Sequence, residues 1–307
     1  LLLPKQKTLV KYLKILIPIF ILFILAIESK EIFKDFNWQL LNHYWDRLAL
    51  NKLFFILILG LISLIPMIFY DVILLQIFHI YIPKRKLIFF SLAANAYSNL
   101  IGFGGVAGTT LRSFYYKSQV RNDMPYIQTI AKLSLFYLSG LSILSWFTVF
   151  SDMHVYSEVK FIKIAVLAIA LYTPILLIVF LLKKSFWNLG HIKRGYISEL
   201  MAVSIFEWLF VVICIWGIAN FLGVSVPFTK VFPIVIISAC AGIISLIPGG
   251  IGSFDLVFLI GMETKGVPAE LSLLIIMFYR LSYYILPAIL GTPFIMKHFM
   301  MKKHTRK

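Results

Sequence analysis

The sequence predicts an all-α integral membrane protein: a polytopic helix bundle with two re-entrant, Gly-broken hairpins set in inverted repeats. Three observations carry this. Of 307 residues, 61% are apolar or aromatic and 14% are charged, whereas a soluble chain keeps about 45–50% apolar and about 25% charged residues to wet its surface. The apolar residues fall in runs of bilayer length, about 20 residues each, separated by short basic clusters. Two of those runs are too long for one helix and are interrupted by glycines.

The first run, 9–27, follows Lys5, Lys7, Lys11 and Lys14. It is long for a cleaved signal, and Glu28-Ser29-Lys30-Glu31 replaces a small-residue cleavage site, so it reads as an uncleaved helix with a cytoplasmic N-terminus. Residues 28–52, with Trp38, Tyr44 and Trp45, suit an interface. A span at about 53–79 contains Pro66, which should kink it, and Asp71, which needs a partner or a cavity. After the basic turn at 83–86 comes the first broken segment, 87–115, cut by Gly102, Gly104, Gly105 and Gly108. Spans follow at about 125–150, 161–182 and 197–222. The second broken segment, 231–262, is interrupted at Pro248, Gly249, Gly250 and Gly252. A last span, 270–296, leads into a basic tail.

The net charge of +16 looks like a nucleic-acid signal until the bases are placed. They cluster between apolar runs, where Lys and Arg mark cytoplasmic loops and meet anionic lipid. If both broken segments return to the side they entered from, most of the 29 Lys and Arg residues lie inside, and both termini are cytoplasmic. If both crossed fully, the basic loop at 183–194 would lie outside, against the positive-inside rule. Two units of opposite orientation then follow, about 53–150 and 197–296, within one transmembrane domain over 1–307. Paired interrupted segments at matching places in inverted repeats point to a transporter's midplane site.

Irregular backbone at membrane depth must be buried in protein or line a wet cavity, and half-helix N-termini attract anions. The plainer reading of the glycines is close helix packing. Gly102-x-Gly104-x-x-Ala107 passes for a dinucleotide fingerprint but lacks the strand–helix context that gives the motif its mechanism. No cofactor pattern, and no histidine pair at metal-ligand spacing, is present. Cys214 and Cys240 sit in apolar runs as small hydrophobes. Six charges lie at apparent depth: Asp71, Glu207 and Asp255 against Arg112, Lys132 and Arg280. Each costs about 2.5–3.5 kcal/mol at a helix centre unless it pairs or meets water. Lys132 lies close enough to its helix end to snorkel, while Arg280 shares a helix face with Tyr283 and Tyr284.

At these residues the chain resembles a known family. Tyr70-Asp71-Val72-Ile73-Leu74, Gly102-Phe103-Gly104-Gly105 with Arg112, Glu207-Trp208, Pro248-Gly249-Gly250-Ile251-Gly252-Ser253-Phe254-Asp255, and Tyr279-Arg280 with Tyr283-Tyr284 and Pro287 are similar to the membrane part of the bacterial multiple peptide resistance factor. Larger members of that family are lysyl-phosphatidylglycerol synthases. The resemblance implies a flippase that moves aminoacylated phosphatidylglycerol, lysyl-phosphatidylglycerol above all, from the inner to the outer leaflet of the bacterial cell membrane. The surface becomes less negative and repels cationic antimicrobial peptides. It also implies Asp71, Arg112, Glu207 and Asp255 as substrate-binding residues, and Arg280 joins them through its own depth in the membrane and the tyrosines on its face.

This sequence stops before the family's soluble aminoacyltransferase domain, so the expectation is a non-enzyme. A separate synthase domain or protein, and a homo-oligomer, are the partners to expect; nucleic acid is not. Two other readings stand beside it. One is a secondary transporter of another lipid phosphate or a small solute. The other is an intramembrane transferase, named after the larger relatives.

Overall fold

The computed structural model describes residues 37–46, 48–101, 106–116, 126–150, 161–182 and 194–304. The expected first helix, the tip glycines Gly102, Gly104 and Gly105, and the loop at 183–193 lie outside the described residues. Among the described residues there is no strand. Five helical segments among them are long and apolar enough to cross a membrane, counted over the described residues alone: Leu50–Ile77, Tyr126–Val149, Ile162–Leu182, Gly195–Phe221 and Ala269–Phe294. They coincide with the spans expected from sequence.

Helix α1 (Trp38–Asp46) buries no side chain and presents Trp38 outward, as an interfacial helix should. It is fastened to the later part of the chain by Trp45 stacked on Phe278, and by the Asn37 amide donating to Glu270 at 2.7 Å. The first span is α2 (Leu50–Ile62) followed by α3 (Ile65–Ile77). The chain breaks between them because Pro66 occupies the first turn of α3, where a missing N–H leaves no bond unmade. The freed end of α2 is closed by Ser63, whose hydroxyl donates to the Leu59 carbonyl at 2.8 Å.

The first broken segment is α4 (Lys84–Ile101) packed against α5 (Val106–Tyr116). The second span comprises α6 (Tyr126–Leu133), a 3-10 turn (Ser134–Leu138) and α7 (Ser139–Val149). Helix α8 (Ile162–Leu182) packs on α7 and turns Ile164, Ile175, Ile178 and Leu182 outward. Such a surface suits lipid. Pro174 lies inside α8 and has no N–H for the Ala170 carbonyl. Ser142 of α7 fills the gap: its hydroxyl donates to the Ala170 carbonyl at 2.9 Å and accepts the Thr173 amide at 2.9 Å. Neighbouring hydroxyls let membrane helices keep their prolines in this way.

Helix α9 (Arg194–Phe221) crosses α7 closely at Gly140, where any Cβ would run into the Ser204 backbone. The Gly140 amide donates to the Ser204 hydroxyl at 2.8 Å, and that hydroxyl donates to the Tyr137 carbonyl at 2.6 Å. The second broken segment is α10 (Phe228–Ile244), a tip at Pro248–Gly250, and α11 (Ser253–Glu263), with α10 and α11 packed together. The last span is α12 (Ala269–Arg280), a π-helical turn (Leu281–Ile285) and α13 (Leu286–His304). The π turn has no counterpart in the sequence reading. Its Ser282 sits against Gly60 of α2, and α13 packs along α4 through Phe89 stacked on Phe294. Cys214 and Cys240 are both buried and unbridged.

Candidate functional site

The second tip shows how broken helices are held. Gly249, Gly250 and Gly252 have φ of 65°, 63° and 87°, a region that costs other residues about 1–2 kcal/mol. Gly250 lies on Gly242 of α10, where a Cβ would come within 3.1 Å of the Gly242 Cα, tighter than an ordinary contact. The tip reaches α4, with Gly249 close to the Asn99 carbonyl. Where α11 restarts, its first backbone donors need partners. Asp255 supplies one by accepting the Gly252 amide at 2.8 Å.

Arg280 of α12 then fixes this arrangement. Its Nη2 and Nε donate to Asp255 Oδ1 at 2.6 and 3.2 Å, and its Nη1 donates to the Gly249 carbonyl at 3.2 Å. Both side chains of the pair keep 20% of their surface exposed. The Arg280 guanidinium also lies 5.9 Å from the Tyr284 ring, within a cluster of Tyr279, Tyr283 and Tyr284. Of the two tyrosines expected beside Arg280, Tyr284 is the one its guanidinium overlies.

A second ion pair joins α3 to the other broken segment. Arg112 Nε donates to Asp71 Oδ1 at 2.9 Å, and Arg112 Nη2 donates to Asp71 Oδ2 at 3.0 Å. This two-point geometry suits guanidinium and carboxylate. Here Asp71 and Arg112 are 0% and 3% exposed. Residues of α4 add further bonds: Ser91 donates to Asp71 Oδ2 at 2.7 Å, and Asn95 Oδ1 accepts Arg112 Nη2 at 2.6 Å. Ser91 and Asn95 stand four residues apart and bond each other. Sequence reasoning passed over them, although polar residues at that spacing on an intramembrane helix mark one face.

Glu207 of α9 differs from both acids. Its carboxylate accepts a hydrogen bond from the Tyr70 hydroxyl at 2.5 Å, and the ion pairs among the described residues are Asp71–Arg112 and Asp255–Arg280. Tyr70 stacks on Tyr137, and Arg112 lies 5.8 Å from the Tyr137 ring. Met67 links the two pairs. Its carbonyl accepts Asn95, while its sulfur meets Asn99 and the Tyr283 hydroxyl. Asp71, Arg112, Glu207, Asp255 and Arg280 therefore belong to one contiguous polar and aromatic band. Lys132, half-buried in the last turn of α6, was not among the expected binding residues.

Comparison with known proteins shows the family of the chain that carries this band. The family model described as "Lysylphosphatidylglycerol synthase TM region" matches residues 12–291. The chain belongs to this family. Among similar proteins are phosphatidylglycerol lysyltransferases of Bacillus subtilis (32% identical, 93% of this chain and 34% of that one), Staphylococcus haemolyticus (32%, covering 72% and 26%) and Staphylococcus aureus (32%, covering 80% and 29%). The chain thus spans about a third or less of the length of these relatives. The match falls on the transmembrane region of the lysylphosphatidylglycerol synthase family, and the site lies within it. Among the described residues no group of three or more His, Cys, Asp or Glu could hold a metal ion.

Proposed function

We propose that this member of the lysylphosphatidylglycerol synthase family is a lipid flippase. It moves aminoacylated phosphatidylglycerol, with lysyl-phosphatidylglycerol as the first candidate, from the inner to the outer leaflet of the cell membrane. The observation that carries the reading is Arg280 bound at once to Asp255 and to the backbone of a glycine tip. A charged side chain and an irregular backbone share one partly open site between apolar helices, as a midplane substrate site requires. Guanidinium and freed backbone N–H groups suit the lipid phosphate, and carboxylates suit its ammonium groups. Acyl chains stay in the bilayer while the headgroup crosses.

Inverted repeats support a transporter of this kind. One common offset along the chain carries His79 to Gly223, Ile80 to Val224, Pro83 to Pro227 and Gly105 to Gly249. Both helix ends in that register close alike: the Ile80 amide donates to the Leu75 carbonyl at 2.9 Å, and the Val224 amide donates to the Ala219 carbonyl at 2.9 Å. Both left-handed residues, His79 (φ 52°) and Gly223 (φ 86°), precede a proline that opens a broken segment. In this proposal the broken segments are re-entrant hairpins from opposite faces, with the termini in the cytoplasm. Lysyl transfer itself belongs to a soluble domain or protein elsewhere.

The test uses purified protein in phospholipid vesicles, with fluorescent lysyl-phosphatidylglycerol or fluorescent phosphatidylglycerol and a membrane-impermeant quencher. Protein-dependent movement of the lysyl lipid supports the reading. No movement of either lipid refutes it, and movement of phosphatidylglycerol alone reassigns the headgroup. Uptake of a water-soluble phosphate or amino acid in place of lipid movement would favour a solute transporter.

A further inference from the structure

We infer that Glu207 is a coupling site, binding either a proton or the lipid's ammonium group, so that lipid export is exchanged for proton entry. The inference rests on the lipid reading above and adds its driving force. It starts from the inventory of intramembrane charge. Asp71 is taken up by Arg112, and Asp255 by Arg280. Glu207 lies midway along the Gly195–Phe221 span and has no ion-pair partner among the described residues.

The titratable groups that interact with it are Tyr70 from α3, Tyr137 from the 3-10 turn, Arg112 from α5, and Tyr283 and Tyr284 from the π turn. Four of these are phenols. The fifth, Arg112, is already held by both oxygens of Asp71 and by Asn95. None is a cation free to neutralise Glu207.

An unneutralised carboxylate at a helix centre is costly in a membrane. Two neutralising species are at hand, a proton and an alkylammonium ion, and they compete for the same oxygens. Tyr70, stacked on Tyr137 with centroids 4.0 Å apart, turns its hydroxyl to that carboxylate and brings it no countercharge. Opened to the outside, Glu207 accepts a proton from water, and the ammonium-bearing lipid leaves for the outer leaflet. Opened to the cytoplasm, it releases that proton to water as the next ammonium group binds. Lysyl-phosphatidylglycerol carries two ammonium groups and one phosphate, a net single positive charge. One proton moving the other way leaves the exchange electroneutral.

The experiment uses the intact chain in vesicles holding fluorescent lysyl-phosphatidylglycerol and a lumenal pH dye, with pH gradients and potassium-diffusion potentials imposed separately. One-for-one exchange converts each pH unit of gradient into about a tenfold shift of lipid toward the leaflet facing the acidic compartment. A membrane potential alone shifts nothing. Lipid moving down its own gradient into the lumenal leaflet should raise the lumenal pH, and lipid moving out of it should lower that pH. Glu207→Gln should lose the response to the pH gradient, and Glu207→Asp should keep it. Lipid that moves at a distribution indifferent to the pH gradient, with no proton flux, overturns the coupling and leaves the flippase reading standing. A full gradient response in Glu207→Gln overturns the assignment to Glu207. Wild-type protein that moves no lipid under any gradient overturns the flippase reading, and the coupling falls with it.

Discussion

Arg280 donates to the Gly249 carbonyl at 3.2 Å, tying a membrane-spanning helix to the tip of a broken segment 31 positions earlier. The same guanidinium holds Asp255, the residue that caps the helix restarting after the tip. Movement of α12 and movement of the tip are therefore mechanically joined.

Because the Asp255–Arg280 pair is one-fifth exposed, the acid left behind in Arg280→Gln can hydrate. The expected outcome is near-normal membrane abundance with lipid movement reduced by at least about tenfold, the size of one lost charge-assisted contact of roughly 1.5 kcal/mol. Quantitative immunoblotting of membranes beside the vesicle assay checks both halves. Loss of the protein with its activity would make the tie structural.

The Asp71–Arg112 pair should behave in the opposite way. With both side chains at 3% exposure or less, Arg112→Ala strands a buried carboxylate and costs about 3–5 kcal/mol. Thermal unfolding in detergent should show that loss. The double variant Asp71→Asn with Arg112→Gln removes both charges and should recover most of the stability while remaining inactive.

Gly249 and Gly250 test the tip itself. Alanine at both positions places a Cβ on left-handed backbone and, at Gly250, 3.1 Å from the Gly242 Cα. Pro248 still blocks a continuous helix, so insertion should survive while the tip shifts and lipid movement falls. A double variant that moves lipid at the parent rate would make the tip a packing feature.

Ser142 and Pro174 offer a test of the scaffold. Ser142→Ala removes two bonds to α8, worth about 1 kcal/mol together at the average of about 0.6 measured per interhelical bond in a membrane protein. In a Pro174→Ala background the Ala170 carbonyl regains a helical N–H, and the same serine change should cost less. A double-mutant cycle on unfolding temperature measures the difference. Strict additivity would contradict the repair role of Ser142.

The spans were legible because an apolar run of bilayer length needs no periodicity to be read, and the glycine breaks were legible because glycine and proline punctuate helices. The pairings were less so. Asp71 and Arg112 are 41 residues apart, on opposite sides of a break whose course the sequence leaves open. Asp71 and Glu207 look alike as intramembrane acids, yet one carries a bound guanidinium and the other only a phenol. The π turn after Arg280 left no mark either, since Leu281–Ile285 reads as ordinary helix. That turn places Tyr283 against Met67 and so joins the two ion pairs into one band.

The most direct measurement is made on cells that synthesise lysyl-phosphatidylglycerol, with and without this chain. A membrane-impermeant amine reagent labels the lipid exposed in the outer leaflet, and total lipid is measured in parallel. With the chain present, the labelled fraction should rise while the total stays constant, and Arg280→Gln should return it to the level of cells without the chain. An equal labelled fraction in both cell types would contradict the assignment of this protein as the flippase for that lipid.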